Sequence, residues 1–217
     1  MIYCVPVRGV FETNCYFYVD GDGHAFLIDP GAQGEELLGL IRERGWRPEA
    51  ILLTHGHFDH IGGIAAIRKQ LDIPVLIHEN GERILENPEI NLSAQCGMPM
   101  TVRPDRYLRD GDELKLNGKD VLRVIHTPGH TADSVIFYSG SDQAAFVGDT
   151  IFKGSYGNYR YPTGDYRILM KSIRERIMTL LMAPHFCRAI RSRQQQGQRR
   201  NSIDERASEG QLLPRFL

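Results

Sequence analysis

Three histidines and an aspartate fall within six residues in Thr54-His55-Gly56-His57-Phe58-Asp59-His60-Ile61-Gly62-Gly63. The stretch follows directly on the apolar run Ala50-Ile51-Leu52-Leu53. Imidazole and carboxylate are the groups that zinc and other first-row divalent metals take as ligands. A single histidine is usually a surface or satisfied core residue, and one His-x-His pair carries little weight. Four ligand-type residues in so short a span, where a strand ends and a helix begins, point to metal chemistry.

Three weaker pieces share that geometry. His130 stands in Thr127-Pro128-Gly129-His130-Thr131, Asp149 in Gly148-Asp149-Thr150 and Asp29 in Ile28-Asp29-Pro30-Gly31. Alone, a histidine at a Pro-Gly turn is usually structural and an aspartate after a strand is usually a cap. Each of these, however, sits just past an expected strand, where turns can converge on one pocket while rigid strands hold the ligands. Asp29 is placed to orient a ligand histidine from behind. His24, His78 and His126 read as structural.

The elements that must position these residues follow from periodicity. Residues 2–8, 15–20 and 24–29 read as a meander, with Asp20-Gly21-Asp22-Gly23 as the hairpin turn. Residues 34–44 carry Leu37, Leu38, Leu40 and Ile41 among charged neighbours, which predicts an amphipathic helix closed by Gly45. A buried strand spans 50–54, a helix runs from Ile61 to Leu71, and Val75–His78 is a further strand. Residues 79–100 suggest a short helix and an irregular crossover. Strands are expected at 113–116, 121–126, 134–138 and 144–148, and a helix at 165–180. Strands, then a helix, then strands again in each half predict two sheets packed face to face with helices outside.

The 217 residues suit one domain with a substantial core. A hydrophobic content of 41% and a charged content of 24% are those of a soluble globular chain. The formal net charge of −1 gives no electrostatic case for nucleic acid or an anionic membrane as partner. No apolar run reaches bilayer length. The N-terminal stretch reads as a strand rather than a signal peptide, and Cys4, Cys15, Cys96 and Cys187 lack metal or redox spacing. A cytoplasmic protein with free thiols is expected.

The His55-x-His57-x-Asp59-His60 run, the Pro-Gly-His130-Thr turn and Gly-Asp149-Thr, in that order, resemble the metallo-β-lactamase superfamily. Ile28-Asp29-Pro30-Gly31, Thr54-His55-Gly56-His57, His126-Thr127-Pro128-Gly129-His130-Thr131 and Ile151-Phe152-Lys153-Gly154-Ser155 are similar to short glyoxalase II-like hydrolases. The resemblance implies a four-layer αββα sandwich with two divalent metals, Zn2+ first and Fe or Mn as alternatives. It implies that His55, His57 and His130 hold one metal, that Asp59 and His60 hold the other, and that Asp149 bridges them. The implied chemistry is hydrolysis of a small-molecule thioester of the hydroxyacylglutathione kind, or a related ester, by metal-bound hydroxide that Asp59 helps to orient. A lactonase and a mononuclear-iron persulfide dioxygenase are alternatives with the same resemblance. A nuclease is disfavoured, because no basic face is present.

Two departures stand out. The family reads Gly-Arg-x-Asp where this chain has Gly157-Asn158-Tyr159-Arg160, which puts a substrate contact or an ion pair in question. Dinuclear members also supply a last histidine to the second metal from a Pro-Gly-His turn after one more strand, and after Leu180 no such turn occurs. Residues 182–217 carry seven Arg against three acids, net +4, whereas residues 1–181 carry 19 basic and 24 acidic residues, net −5. The expectation is therefore a metallo-β-lactamase-like domain at 1–181, incomplete at its C-terminal end, and an aberrant, disordered basic tail at 182–217. Back-translated and read two bases out of phase, Leu180 to Gln196 permits Pro-Asp-Gly-Thr-x-Leu-Leu-Pro-Gly-His-Pro-Val-Glu-Ala-Thr-Thr, which contains the absent turn. A frameshift near Leu180 is the sharper hypothesis. With the tail as it stands, His185 is the histidine left to complete the second site, which would be weak. A metal-poor, non-catalytic remnant is then the competing reading.

Overall fold

The computed structural model describes residues 1–181 and 188–190, without the side chains of Asp120, Leu181 and 188–190. Strands β1 (Ile2–Arg8), β2 (Glu12–Val19) and β3 (His24–Ile28) form the meander. Helix α1 (Gly34–Arg44) leads to β4 (Arg47–Leu52), and α2 (Phe58–Ile61) and α3 (Ile64–Arg68) lead to β5 (Val75–His78). Helix α4 (Glu82–Leu85) precedes β6 (Arg106–Leu108). These strands make one sheet in the order β1-β2-β3-β4-β5-β6.

The second half contributes β7 (Glu113–Leu116), β8 (Lys119–His126), β9 (Val135–Ser139) and β10 (Ala144–Phe146). A small ribbon follows, β11 (Ile151–Phe152) with β12 (Ser155–Tyr156). The last long helical segment begins as α5 (Tyr166–Ser172), widens to a π turn at Ile173–Ile177 and closes as α6 (Met178–Leu181). Three residues of the basic tail, Arg188–Ile190, form β13, which runs parallel to β10. The sequence carries no strand period there; the partner is the edge of β10, a contact distant in the chain. The second sheet has the order β13-β10-β9-β8-β7.

Alternation along the strands builds the layers, because successive side chains point to opposite faces. In β2, β3 and β4, Phe17, Leu27 and Ile51 face Leu37, Leu38, Ile41, Ile64 and Ile67 of the helices. The residues between them, Tyr16, Tyr18, Phe26, Ile28, Ala50 and Leu52, meet Leu116, Leu122, Val124, Phe137 and Phe146 of the other sheet. The outer face of that sheet, with Ile125, Ile136 and Ala145, is covered by Leu169, Ile173 and Ile177. Three apolar interfaces between four layers make the αββα sandwich expected from the sequence.

Two local expectations differ. The helix expected over Ile61–Leu71 is two short helices interrupted at Gly62 and Gly63. A Cβ on either glycine would lie under 3 Å from the carbonyl oxygen of Gly31 or Pro30. The backbones of the two loops touch there, which only glycine permits, and paired glycines weaken a helix. Strand β6 lies just past the irregular stretch and is short and largely exposed, so it shows no periodicity. Among the described residues no helix is long and apolar enough to cross a membrane.

Candidate metal centre

The loops after β3, β4, β8 and β10 open on the same edge of the sandwich, and they carry Asp29, His55 to His60, His130 and Asp149. The first set comes from two of them. His55 Nε2 and His57 Nδ1 are 3.1 Å apart, His57 Nδ1 and His130 Nε2 3.0 Å, and His55 Nε2 and His130 Nε2 3.3 Å. All three rings are buried.

Hydrogen bonding on the far side of each ring decides what those nitrogens present. His130 Nδ1 lies 2.6 Å from the carbonyl oxygen of Asn158. A carbonyl only accepts, so Nδ1 carries the proton and Nε2 is a lone pair. The Thr54 hydroxyl donates to Asp29 Oδ2 at 2.6 Å and so accepts from His55 Nδ1 at 3.2 Å. His55 Nε2 is therefore a second lone pair. Two lone pairs and a third ring nitrogen converge in a triangle that one imidazole proton cannot satisfy. Two nitrogens bound to one tetrahedral zinc at about 2.1 Å would be about 3.4 Å apart. The donor set fits a divalent metal.

The second set adjoins the first. His60 Nδ1 lies 3.0 Å from Asp29 Oδ2, and His60 Nε2 lies 3.4 Å from Asp149 Oδ1 and 3.9 Å from Asp59 Oδ2. The other Asp149 oxygen, Oδ2, is 3.9 Å from His130 Nε2. Donor atoms of His55, His60 and Asp149 form one compact group, and those of His55, His57 and His130 the other. Asp59 belongs to neither group and reaches the second from its margin through His60. His185 lies outside the described residues.

Asp29 holds the second set from behind. Its Oδ1 accepts from the Thr54 backbone N–H at 2.8 Å, while Oδ2 takes the Thr54 hydroxyl and faces His60. This aspartate has a left-handed backbone, with φ of 51°. The Asp59 carbonyl accepts from the Thr13 hydroxyl at 3.0 Å and presses on Gly31. Thr13, Thr54 and Asn158 thus support the ligand residues, and no spacing rule in the sequence singles them out. The rings of His57 and Tyr161 meet edge-on at 5.6 Å.

Electrostatics divide the site in two. Burial, then neighbouring imidazoles, hold His55 well below the ordinary histidine range, and burial does the same to His57 and, less strongly, His130. Burial also acts to lower His60, but Asp29, Asp59 and Asp149 outweigh it and raise its pKa. Burial lifts Asp59 to about 6. It pushes Asp149 the same way, yet the hydrogen bond and charge of His60 and the other imidazoles bring that carboxyl down to about 2. Asp149 is a carboxylate held beside the cationic His60.

Comparison with known proteins places this geometry in a class. The sequence pattern of the metallo-beta-lactamase superfamily matches residues 8–182. The chain is 37% identical over 178 residues to "Probable metallo-hydrolase YqgX" of Bacillus subtilis, covering 81% of this chain and 83% of that protein. It is 32% identical over 182 residues to "Hydroxyacylglutathione hydrolase GloC" of Haemophilus influenzae, covering 82% and 85%. Among solved structures, the BLEG-1 B3 metallo-beta-lactamase superposes with a TM-score of 0.78 at 36% identity, covering 83% of this chain and 87% of that one. TTHA1623 in a di-iron-bound form gives 0.75 at 35% identity, covering 88% and 92%. The chain belongs to the metallo-β-lactamase superfamily, whose members bind divalent metals, and is a metallohydrolase of that fold.

Proposed function

We propose that the chain is a dinuclear metallohydrolase of the glyoxalase II type, which cleaves a thioester such as a hydroxyacylglutathione, or a related ester, in the cytoplasm. The observation that carries this reading is Asp149, which turns one oxygen to each of two adjoining donor sets. The 32% identity to GloC supports the thioester class. His55, His57 and His130 would hold the first metal. His60 and Asp59 would serve the second, with Asp149 between the two sets. Zinc suits these nitrogen and carboxylate donors, with iron or manganese as alternatives.

Divalent metals held there would supply a water of lowered pKa and would polarise the substrate carbonyl. The chain's own residues do the rest. The Asn158 carbonyl takes the outward proton of His130, and the Asp29 carboxylate faces His60 Nδ1 at 3.0 Å, so Nε2 of each ring is aimed inward. Asp59 sits at the rim of the second set, where its carboxylate can accept a hydrogen bond from the attacking water and orient it. A thiolate leaves readily, so no dedicated general acid is needed. Cys4, Cys15 and Cys96 are present as thiols rather than in disulfides, which fits a reducing compartment.

The test is release of free thiol from a hydroxyacylglutathione, run beside a lactone and beside a thiol persulfide with oxygen uptake recorded. Thioester turnover without oxygen uptake is the expected result. Lactone turnover alone makes the chain a lactonase. Iron-dependent oxygen uptake with persulfide and no thioester turnover overturns hydrolysis in favour of a dioxygenase.

A further inference from the structure

Asp133 lies three residues past His130, in the turn that leads into β9, and takes no part in either donor set. It is completely buried. Neither carboxylate oxygen makes a hydrogen bond of full geometry. The Thr131 hydroxyl and the backbone N–H groups of Asp133 and Gly56 favour its charged form, while the charge of Asp29 opposes it. Burial accordingly raises its pKa to about 6. Its Oδ2 fills the niche beside Gly81, where a Cβ would come within 2.9 Å of it.

An ionised carboxylate in such a place destabilises the protein that holds it. It becomes favourable only when a positive charge arrives nearby, and its surroundings say where. Gly56, whose N–H faces Asp133, is the middle residue of the His55–His57 pair. The loop of Asp133 itself carries His130. One buried carboxylate therefore stands behind both loops that bring the three imidazole nitrogens together, and Val135 N–H ties the loops further by donating to the Thr54 carbonyl at 2.8 Å.

We propose that Asp133 is a positioning residue and buried counter-charge for the three-histidine set, exchanging stability of the metal-free protein for divalent-ion affinity. The proposal rests on the metal-binding reading of that set. It makes two effects of one substitution run in opposite directions. In Asp133→Asn the side chain keeps its shape and loses its charge. Zn2+ affinity, measured by competition with a chromophoric chelator, should fall about tenfold, in the range seen when groups behind metal ligands are changed. The Tm of the chelator-stripped protein in mildly alkaline buffer should rise or hold. A carboxylate with a merely structural role gives the other pattern, a lower Tm with unchanged affinity. Affinity within twofold of the wild type overturns the proposal, as does a loss of affinity that comes with a lower metal-free Tm. Asp133→Ser provides the second variant; if neither variant folds without metal, the residue is structural and the proposal is wrong. A wild-type protein that binds no Zn2+ refutes the metal-site reading itself, which is a separate outcome.

Discussion

Asp29→Asn is the substitution in which the hydrogen bonding around the centre can be followed atom by atom. The carboxylate is 2% exposed and accepts from Thr54 N–H and the Thr54 hydroxyl while facing His60 Nδ1. An asparagine keeps one acceptor, for the Thr54 N–H. Its amide then turns two donors toward the hydroxyl and the imidazole. His60 Nδ1 can meet that amide only as an acceptor, so the ring proton moves to Nε2, the atom aimed at the second set. A hydrogen bond to a buried charged group contributes about 1.5–3 kcal/mol. Changing a group behind a metal ligand typically costs about 10- to 100-fold in affinity. Both routes give about 2 kcal/mol, or roughly thirtyfold. A Zn2+ titration should show the second binding event weakened by that factor and the first weakened less, because the first set feels Asp29 only through the Thr54 hydroxyl on His55. The metal-free Tm should drop by about 4–8 °C. Two binding events of wild-type affinity, or equal loss of both, would show that Asp29 does not act through His60.

Other expectations follow from the same geometry. Gly31→Ala puts a Cβ 1.7 Å from the Asp59 carbonyl oxygen and 2.7 Å from Thr13 Oγ1. Because the nearer obstacle is backbone, the change should cost about 3 kcal/mol by denaturant unfolding and disturb the second metal. Gly39→Ala in α1 meets nothing within 4 Å and should stabilise by about 0.5–1 kcal/mol. His78 is held down to about 4 by burial and then by His126, against which it stacks at 3.9 Å. Its unfolded value is about 6.5, so the unfolded chain takes up the proton first and stability falls as pH drops from about 6.5 to about 4. After discounting for solvent screening the loss is about 2 kcal/mol, and His78→Asn should flatten that limb of metal-free stability against pH. Resequencing the gene from Leu180 to Gln196 tests the frameshift hypothesis, and codons incompatible with the Pro-Gly-His reading would sink it.

What could be read from the chain and what could not divide along sequence distance. The run His55–His60 announces itself because its ligands are neighbours and because Ile51 and Leu52 form a buried strand just before it. Alternation in β2, β3 and β4 assigns each side chain to a layer with no knowledge of its partner. The break at Gly62-Gly63 was hidden, because its cause is the loop at Pro30 and Gly31, which the helical pattern does not register. Asp29 could be named as an orienting group, but that its partner is His60 depends on the left-handed turn that β3 makes against β4. Thr54, Asn158 and Asp133 looked like ordinary turn residues. Asn158 acts through its backbone carbonyl, which any residue would supply, and Asp133 is notable only for burial that its local sequence does not predict.

Metal content per chain, measured on the purified protein by elemental analysis, bears most directly on the claim of a two-metal centre bridged by Asp149. The account predicts two divalent ions per chain, thioester turnover lost on chelation and regained with Zn2+, and a fall toward one ion in Asp149→Asn. Less than one ion per chain, with no turnover after metal is added, would contradict it and mark the chain as a remnant of the fold.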